Sequence, residues 1–482
     1  MGWKLALLCV VLVGAICGRE TIAAAPAASS GTGVQVARTL ERLPAVNPRG
    51  VIAGPNYPVK QASAQADAAP SHLTADEQEM LHELEAIPQG LEEPGVGMTL
   101  NEVQSIALQN SPVILEAQLE VTAARGRAFQ ASRYPNPTFG SASPQLAGNQ
   151  SQYNAYVIQD YVTRGKIGLD TNAAERAAQA AEFSLVRARF DVLTTVRQRF
   201  YNVLAMQQRV HILESMVSIA HTSHEVSEKL LKAGIGTRGD VLLLQIEMSR
   251  AEAELRNARI LTETSKRQLA AATGLFDLQI DRVAANLVER LPDYDVIAVQ
   301  QGVLARNALV QRASVEIARN QFVLRRAEVE PFPNLNMMGG WQNQQPAALA
   351  PESQGIYQMQ MVIPLWNRNQ GNIRAAQANV GGAVAGLGRV RNELANNAAS
   401  AIGRYLTARQ LVERYETAIL PSAVELQDIS ARLYKEGQID FLRYLNSQRA
   451  LLDASLAYID AQEARWAAGA EVAGLLQSEQ FP

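Results

Sequence analysis

His221 and His224 stand three residues apart, with His211 a few turns earlier and Glu225 and Glu228 alongside. On a helix, i, i+3 spacing puts both imidazoles on one face. Two imidazoles with no further carboxylate or thiolate at ligand spacing make a weak metal site. The glutamates add charge but form no zinc-protease pattern, so the expectation is an exposed helix face and no bound metal. The two cysteines, Cys9 and Cys17, lie in or beside the first apolar run. Once that run is removed, the chain would carry no thiol chemistry, disulfide or cysteine metal site. No glycine-rich phosphate loop, Ser-His-Asp arrangement or paired buried acids are present. The expectation is therefore no cofactor and no enzymatic activity. With 44 Lys and Arg against 47 Asp and Glu the net charge is −3, which offers no basic surface for nucleic acid.

The elements that would position any function begin after a leader. Met1-Gly2-Trp3-Lys4 is a short basic start, and Leu5 to Ile16 is apolar. That run falls short of the ~20 residues a spanning helix needs. Small residues at Ala23, Ala24 and Ala25 suit cleavage, so residues 1–25 are assigned as an export signal, with a retained anchor as the alternative. Cys17-Gly18 could carry lipid, although Ile16 is bulky where a lipoprotein signal wants a small residue. Residues 26–97 are rich in Ala, Pro, Gly, Ser and Gln and are expected to be poorly ordered.

Folded structure is expected from Thr99, where Thr99-Leu100-Asn101-Glu102 is a capping-box signal for a helix running to about Ser132. No proline occurs between Pro144 and Pro292. Val196, Phe200, Val203, Val210, Leu213 and Val217 keep 3/4 spacing, with Gln207 filling one slot. From Lys166 to Lys232 this predicts one helix roughly 100 Å long. After Gly234, Gly236 and Gly239, a second helix is expected from Asp240 to Thr273, completing a hairpin.

The plan then repeats. Leu230, Lys232, Gly234, Leu242, Gln245 and Ala251 match Leu433, Lys435, Gly437, Leu445, Gln448 and Ala454 at one constant offset, and Pro135-Asn136 recurs as Pro333-Asn334. Two repeats, 98–290 and 291–476, are therefore expected, with a tail at 477–482. Pro421 lies inside the second copy's helical stretch and should break or kink it.

Each repeat also carries a pair of β-like segments. Leu335, Met337 and Trp341 alternate with Asn334, Asn336, Met338 and Gln342; Tyr357, Met359, Met361 and Ile363 alternate with Gln358 and Gln360. Apolar and amide side chains at period two suit a wall between lipid and water. The pair near 138–143 and 153–162 alternates less cleanly, and an ordinary soluble sheet is the alternative. No later stretch approaches a transmembrane helix, so any spanning structure must be a closed barrel. Four strands per chain cannot close one, and known spanning barrels start at about eight strands. At least two copies must share the barrel, and three would supply twelve strands.

In these features the chain resembles the TolC-like outer-membrane efflux family over about residues 97–476. The resemblance rests on the duplication and on four motifs in order. They are Tyr134-Pro135-Asn136-Pro137, Tyr161-Val162-Thr163-Arg164-Gly165-Lys166, Pro364 to Gly371 (PLWNRNQG), and Tyr434-Lys435-Glu436-Gly437. The Pro-Asn-Pro and Arg-Asn-Gln-Gly forms lean to the cobalt–zinc–cadmium cation branch. The resemblance implies an α+β, mainly α fold: a duplicated helix–strand–strand–long hairpin chain. It further implies a homotrimer whose twelve-strand barrel sits in outer-membrane lipid and continues as a periplasmic α-helical barrel. The partners it implies are a periplasmic adaptor and an inner-membrane pump of the RND type. The function it implies is export of small solutes, with heavy-metal cations the lean; multidrug efflux and type I secretion share the architecture. A periplasmic coiled-coil adaptor is the rival, but it would carry one hairpin, not two.

The resemblance also points to site residues. The hairpin tips, Ala233, Gly234, Ile235, Gly236 and Thr237 and, in the second copy, Glu436, Gly437, Gln438 and Ile439, are expected to meet the adaptor. Helix termination alone is the plainer reading of the same residues. The entrance gate is expected to involve Tyr434, Asp240, Asp440, Arg443 and Asn446. Asp240 is equally read as the N-cap of its helix. Arg443 and Asn446 stand where family members often carry carboxylates, so an acidic cation-selecting ring is not expected.

Overall fold

The computed structural model describes residues 97–145, 150–232, 237–289, 291–346, 352–435, 438–439 and 441–481. The export signal and nearly all of the leader lie outside the described residues.

The first helix opens as its sequence requires. Thr99 N–H donates to the Glu102 carboxylate at 2.8 Å, and Glu102 N–H donates to Thr99 Oγ1 at 3.4 Å. The single helix expected to reach Ser132 is two helices, α1 (Leu100–Asn110) and α2 (Pro112–Ala131). A proline ring forces the residue before it out of the helical region, and Ser111 accordingly sits at ψ 119°. Pro112 then restarts the helix at its first position, where the missing N–H costs nothing.

The strands β1 (Thr138–Gln145) and β2 (Gln150–Tyr161) follow, then α3 (Lys166–Lys232) and α4 (Arg238–Thr273). The order recurs as α5 (Val296–Arg306), α6 (Ala308–Val329), β3 (Leu335–Pro346), β4 (Glu352–Gln360) and α7 (Gln370–Arg414). Helices α8 (Leu420–Lys435) and α9 (Phe441–Leu476) complete the second hairpin. Helix α3 is 67 residues long and uninterrupted. Its counterpart is interrupted by a π-turn at Tyr415–Ile419, just before Pro421. Proline has no N–H to give and its ring crowds the carbonyl four residues back, so the coil widens locally. The chain remains helical through the turn, so Pro421 deforms the helix and does not end it.

One antiparallel sheet in the order β1-β2-β3-β4 joins both repeats. Helices α2, α3, α6 and α7 lie side by side in the matching order. Each strand thus passes into the helix that continues its place in the row. Farther along, α4 packs on α3, and α9 packs on α3, α7 and α8.

The main core lies at mid-length, between α1, α5, the central turns of α3 and α7, and the end of α9. Trp466 is fully buried, stacks on Tyr201 at 3.9 Å and donates Nε1–H to the Leu287 carbonyl at 2.8 Å. Residues 477–481 fold onto this core. Gln477 takes φ 56°, Ser478 N–H returns to the Ala473 carbonyl, and Phe481 meets the rings of Tyr201 and Trp466. Arg197 is buried beneath them and donates to the Ser478 and Glu479 carbonyls. Burial pulls its guanidinium down to about 10, which leaves it charged at neutral pH.

Helix α4 ends at Gly274, whose φ of 89° suits glycine. A Cβ there would lie 2.6 Å from the Asn110 carbonyl oxygen and 2.9 Å from Ser111 Cα, both backbone atoms that cannot swing aside. Gly274→Ala is expected to cost about 1–3 kcal/mol, read as a lower denaturant midpoint for the helical portion.

Candidate functional site

The sheet is a wall with two unlike faces. Pairing aligns Phe139 with Val157, Val157 with Gly339 and Gly339 with Tyr357; it also aligns Met337 with Met359. Phe139, Tyr153, Val157, Met337, Trp341, Tyr357 and Met359 therefore share one face. These are all the large apolar strand residues that are exposed among the described residues. Phe139 is 73% exposed and Tyr357 91%. The opposite face presents Thr138, Asn154, Asp160, Asn336, Gln342, Gln354, Gln358 and Gln360, interspersed with Tyr156, Ile158, Met338 and Ile356. The alternation expected through Met361 and Ile363 ends sooner, because β4 stops at Gln360. Beyond it Met361, Val362, Ile363, Leu365 and Trp366 remain exposed, so the apolar band runs past the sheet. Strands β1 and β4 each have one paired side.

Where wall meets helices, the motif 161–166 acts as a clamp. Arg164 and Gly165 both take positive φ, 58° and 64°, reversing the chain between β2 and α3. Lys166 is then 2% exposed. Its Nζ donates to the Phe332 carbonyl at 2.7 Å, the Asn334 Oδ1 at 3.0 Å and the Glu330 carbonyl at 3.3 Å. Thr163 adds its own pair, Oγ1 to the Pro333 carbonyl at 2.7 Å and N–H to Asn334 Oδ1. Arg326 completes the clamp, donating to Asp170 at 2.9 Å and pairing with Glu330. At the matching bend of the second repeat Asn369 takes φ 63°, which asparagine tolerates better than most residues. It donates to the Ala327 carbonyl at 2.8 Å.

At the far end, Ala233, Gly234, Ile235, Gly236, Glu436, Gly437, Asp440 and the Tyr434 side chain lie outside the described residues. Asp240 is not the N-cap of α4. Thr237 is the cap, and Asp240 is the third residue of its capping box, accepting from Thr237 N–H at 3.2 Å. A threonine with a carboxylate three positions on satisfies two orphan amides reciprocally. In the second copy Gln438 N–H donates to the Leu433 carbonyl at 2.9 Å, closing the end of α8. Ile439 is half-buried, and Arg443 and Asn446 are exposed on the first turns of α9.

The structure brings together a pair that the motifs did not indicate. Glu247 of α4, with its side chain 8% exposed, pairs with Arg449 of α9 and also with Arg250 at 3.4 Å. The first pair ties one repeat's hairpin to the other's within a few turns of their ends. His221 meets Glu252 of α4 at 3.1 Å, and His224 lies 3.8 Å from Glu228 on its own helix. Each imidazole thus faces a separate glutamate. Among the described residues no group of three or more His, Cys, Asp or Glu could hold a metal ion.

Glu463 is a half-buried acid of the hairpin stem. Burial pushes its carboxyl up, opposed by the Asn202 amide that donates to it at 2.6 Å. A raised carboxyl favours the neutral form in the folded chain. Its ionisation therefore removes stability as pH rises from the ordinary glutamate range through the folded value. Glu463→Gln keeps the acceptor for Asn202 and loses the charge. It is expected to raise the melting temperature at pH 7–8, with the gain vanishing near pH 4.

The sheet is thus apolar on one exposed face, amide-rich on the other, open at both edges and drawn out into two long hairpins. The sequence matches the outer membrane efflux protein family over residues 103–275 and 299–476. It is 24% identical over 362 residues to the cobalt-zinc-cadmium resistance protein CzcC of Cupriavidus metallidurans, covering 75% of this chain and 86% of that one. It is 27% identical over 305 residues to the nickel-cobalt-cadmium resistance protein NccC of Alcaligenes xylosoxydans xylosoxydans, covering 60% and 66%. Among solved structures the channel CusC superposes with a TM-score of 0.67 at 17% identity, covering 80% of this chain and 93% of that one. The chain belongs to the outer membrane efflux protein family. It is an outer-membrane channel with a periplasmic extension, serving a tripartite efflux system.

Proposed function

We propose that three copies of this chain close a twelve-strand barrel whose apolar face meets lipid and whose amide face lines the bore. The observation that carries this is the concentration of exposed apolar strand residues on a single face of a sheet with two open edges. Unpaired strand edges are not sustained in hydrocarbon, so further copies must close them. Helices α2, α3, α6 and α7 extend the wall into the periplasm as one sector of an α-helical barrel. The hairpin tips, with Thr237, Gln438 and Ile439 among them, meet a periplasmic adaptor that joins the duct to an inner-membrane pump of the RND type. The likeness to two metal-resistance proteins supports heavy-metal cations as the exported solutes. The duct performs no covalent chemistry: it offers an amide-rich path that also carries the carboxylates of Asp160 and Glu352, and the choice of cargo rests with the pump. The Glu247–Arg449 pair holds the two hairpins together at the entrance when no pump is engaged.

The test is the purified chain in detergent and in planar bilayers. Three chains per particle and discrete conductance steps are expected. A monodisperse monomer that passes no current would reject the assembly.

A further inference from the structure

We propose that Gly140 is a slot that parks the Tyr156 ring flat on the wall and so keeps the bore of the barrel open at that level. The inference rests on the reading that the amide-rich face lines the bore. Across the sheet one row on that face runs Gly140, Tyr156, Gly340, Ile356. Tyr156 is the one aromatic in this row, and both of its cross-strand neighbours lack a side chain. A Cβ built on Gly140 would lie 2.6 Å from Tyr156 Cε2, 2.7 Å from Cζ and 2.9 Å from the phenol oxygen. The far end of the ring therefore occupies the volume a side chain at 140 would fill. An aromatic laid over a strand glycine also covers its bare backbone, which is the stabilising side of the arrangement.

Gly340 is different in kind. A Cβ there would meet the Ala155 carbonyl oxygen at 2.4 Å and Tyr156 Cα at 2.9 Å. These are backbone atoms, so Gly340 sets the approach of β2 to β3, whereas Gly140 sets the direction of a side chain. A side chain at 140 displaces only a ring that can swing, and the displaced ring turns toward the bore. Wide solutes feel this first, because pore diameter sets what passes.

The experiment compares Gly140→Val, Tyr156→Ala and the double substitution, each extracted from the outer membrane and complementing a deletion strain. Electron cryomicroscopy of the wild-type assembly in nanodiscs is expected to show the ring over residue 140, and that of Gly140→Val to show it displaced. Tolerance of the widest exported solute is expected to fall by about twofold or more in Gly140→Val and to return when Tyr156→Ala is added. Tyr156→Ala alone is expected to leave tolerance unchanged. A wild-type ring standing in the bore overturns the proposal, as does a Gly140→Val defect that Tyr156→Ala does not relieve. Residues 140 and 156 facing lipid in the same maps would instead overturn the reading of the faces on which it rests.

Discussion

Replacing Lys166 by Met is expected to cost about 3–5 kcal/mol, the range for removing one member of a buried charged network. The ammonium donates to the Phe332 carbonyl, the Glu330 carbonyl and Asn334 Oδ1 at the same point. Methionine fills the volume but leaves the two carbonyls without that donor, while Asn334 Oδ1 keeps the Thr163 N–H, and each stranded acceptor costs about 1–3 kcal/mol. The three acceptors lie in the turn between α6 and β3, so the loss loosens the seam between the repeats where β2 and β3 pair. The measurement is the temperature at which the detergent-resistant assembly dissociates. It is expected to fall sharply for Lys166→Met and much less for Lys266→Met, whose partner Glu263 is exposed.

Arg449→Ala is expected to release the hairpin ends. Glu247 would keep only Arg250, on its own helix, and nothing would cross to the other repeat. Arg449 is 36% exposed and Glu247 keeps Arg250, so the closed arrangement loses about 1 kcal/mol, which shifts a closed–open equilibrium roughly fivefold. Single-channel conductance, or the fraction of time spent in the large-conductance state, should rise accordingly. Arg443→Ala should also raise conductance, but less, since Arg443 is exposed. Glu247→Gln in the Arg449→Ala background should change little further, because the charge it removes no longer bridges the helices. Equal currents from Arg449→Ala and wild type would assign the pair to packing and not to closure.

What the sequence made legible was local or periodic. The Thr99–Glu102 cap, the uninterrupted helix from Lys166 to Lys232 and the two-faced strands each depend on residues a few positions apart. The second-half strands were plain because Met337, Trp341, Tyr357 and Met359 alternate with amides. The first-half strands were obscured because Gly140 and Tyr156 share the other face, one filling the space the other leaves. The break at Ser111 was readable in principle from Pro112, but proline at a first helical position looks the same as proline tolerated within a capped run. The clamp and the hairpin tie were out of reach for another reason. Lys166 meets partners 164 to 168 positions away, and Glu247 and Arg449 stand in different repeats. Neither pairing leaves a periodic trace, and a solitary Lys or Glu on a helix reads as solvated surface. The motif around Lys166 carried the family resemblance, while the reason for its composition emerged only once β2 and β3 were paired.

The proposed export of metal cations through this duct, in company with a pump, has a direct test in the cell. Growth of a deletion strain, with and without the complementing chain, across divalent and monovalent metal ions, dyes, detergents and antibiotics tests it most directly. Hypersensitivity confined to divalent transition-metal ions and restored by the complementing copy is expected. Unchanged metal tolerance with lost tolerance to apolar drugs and dyes would contradict it.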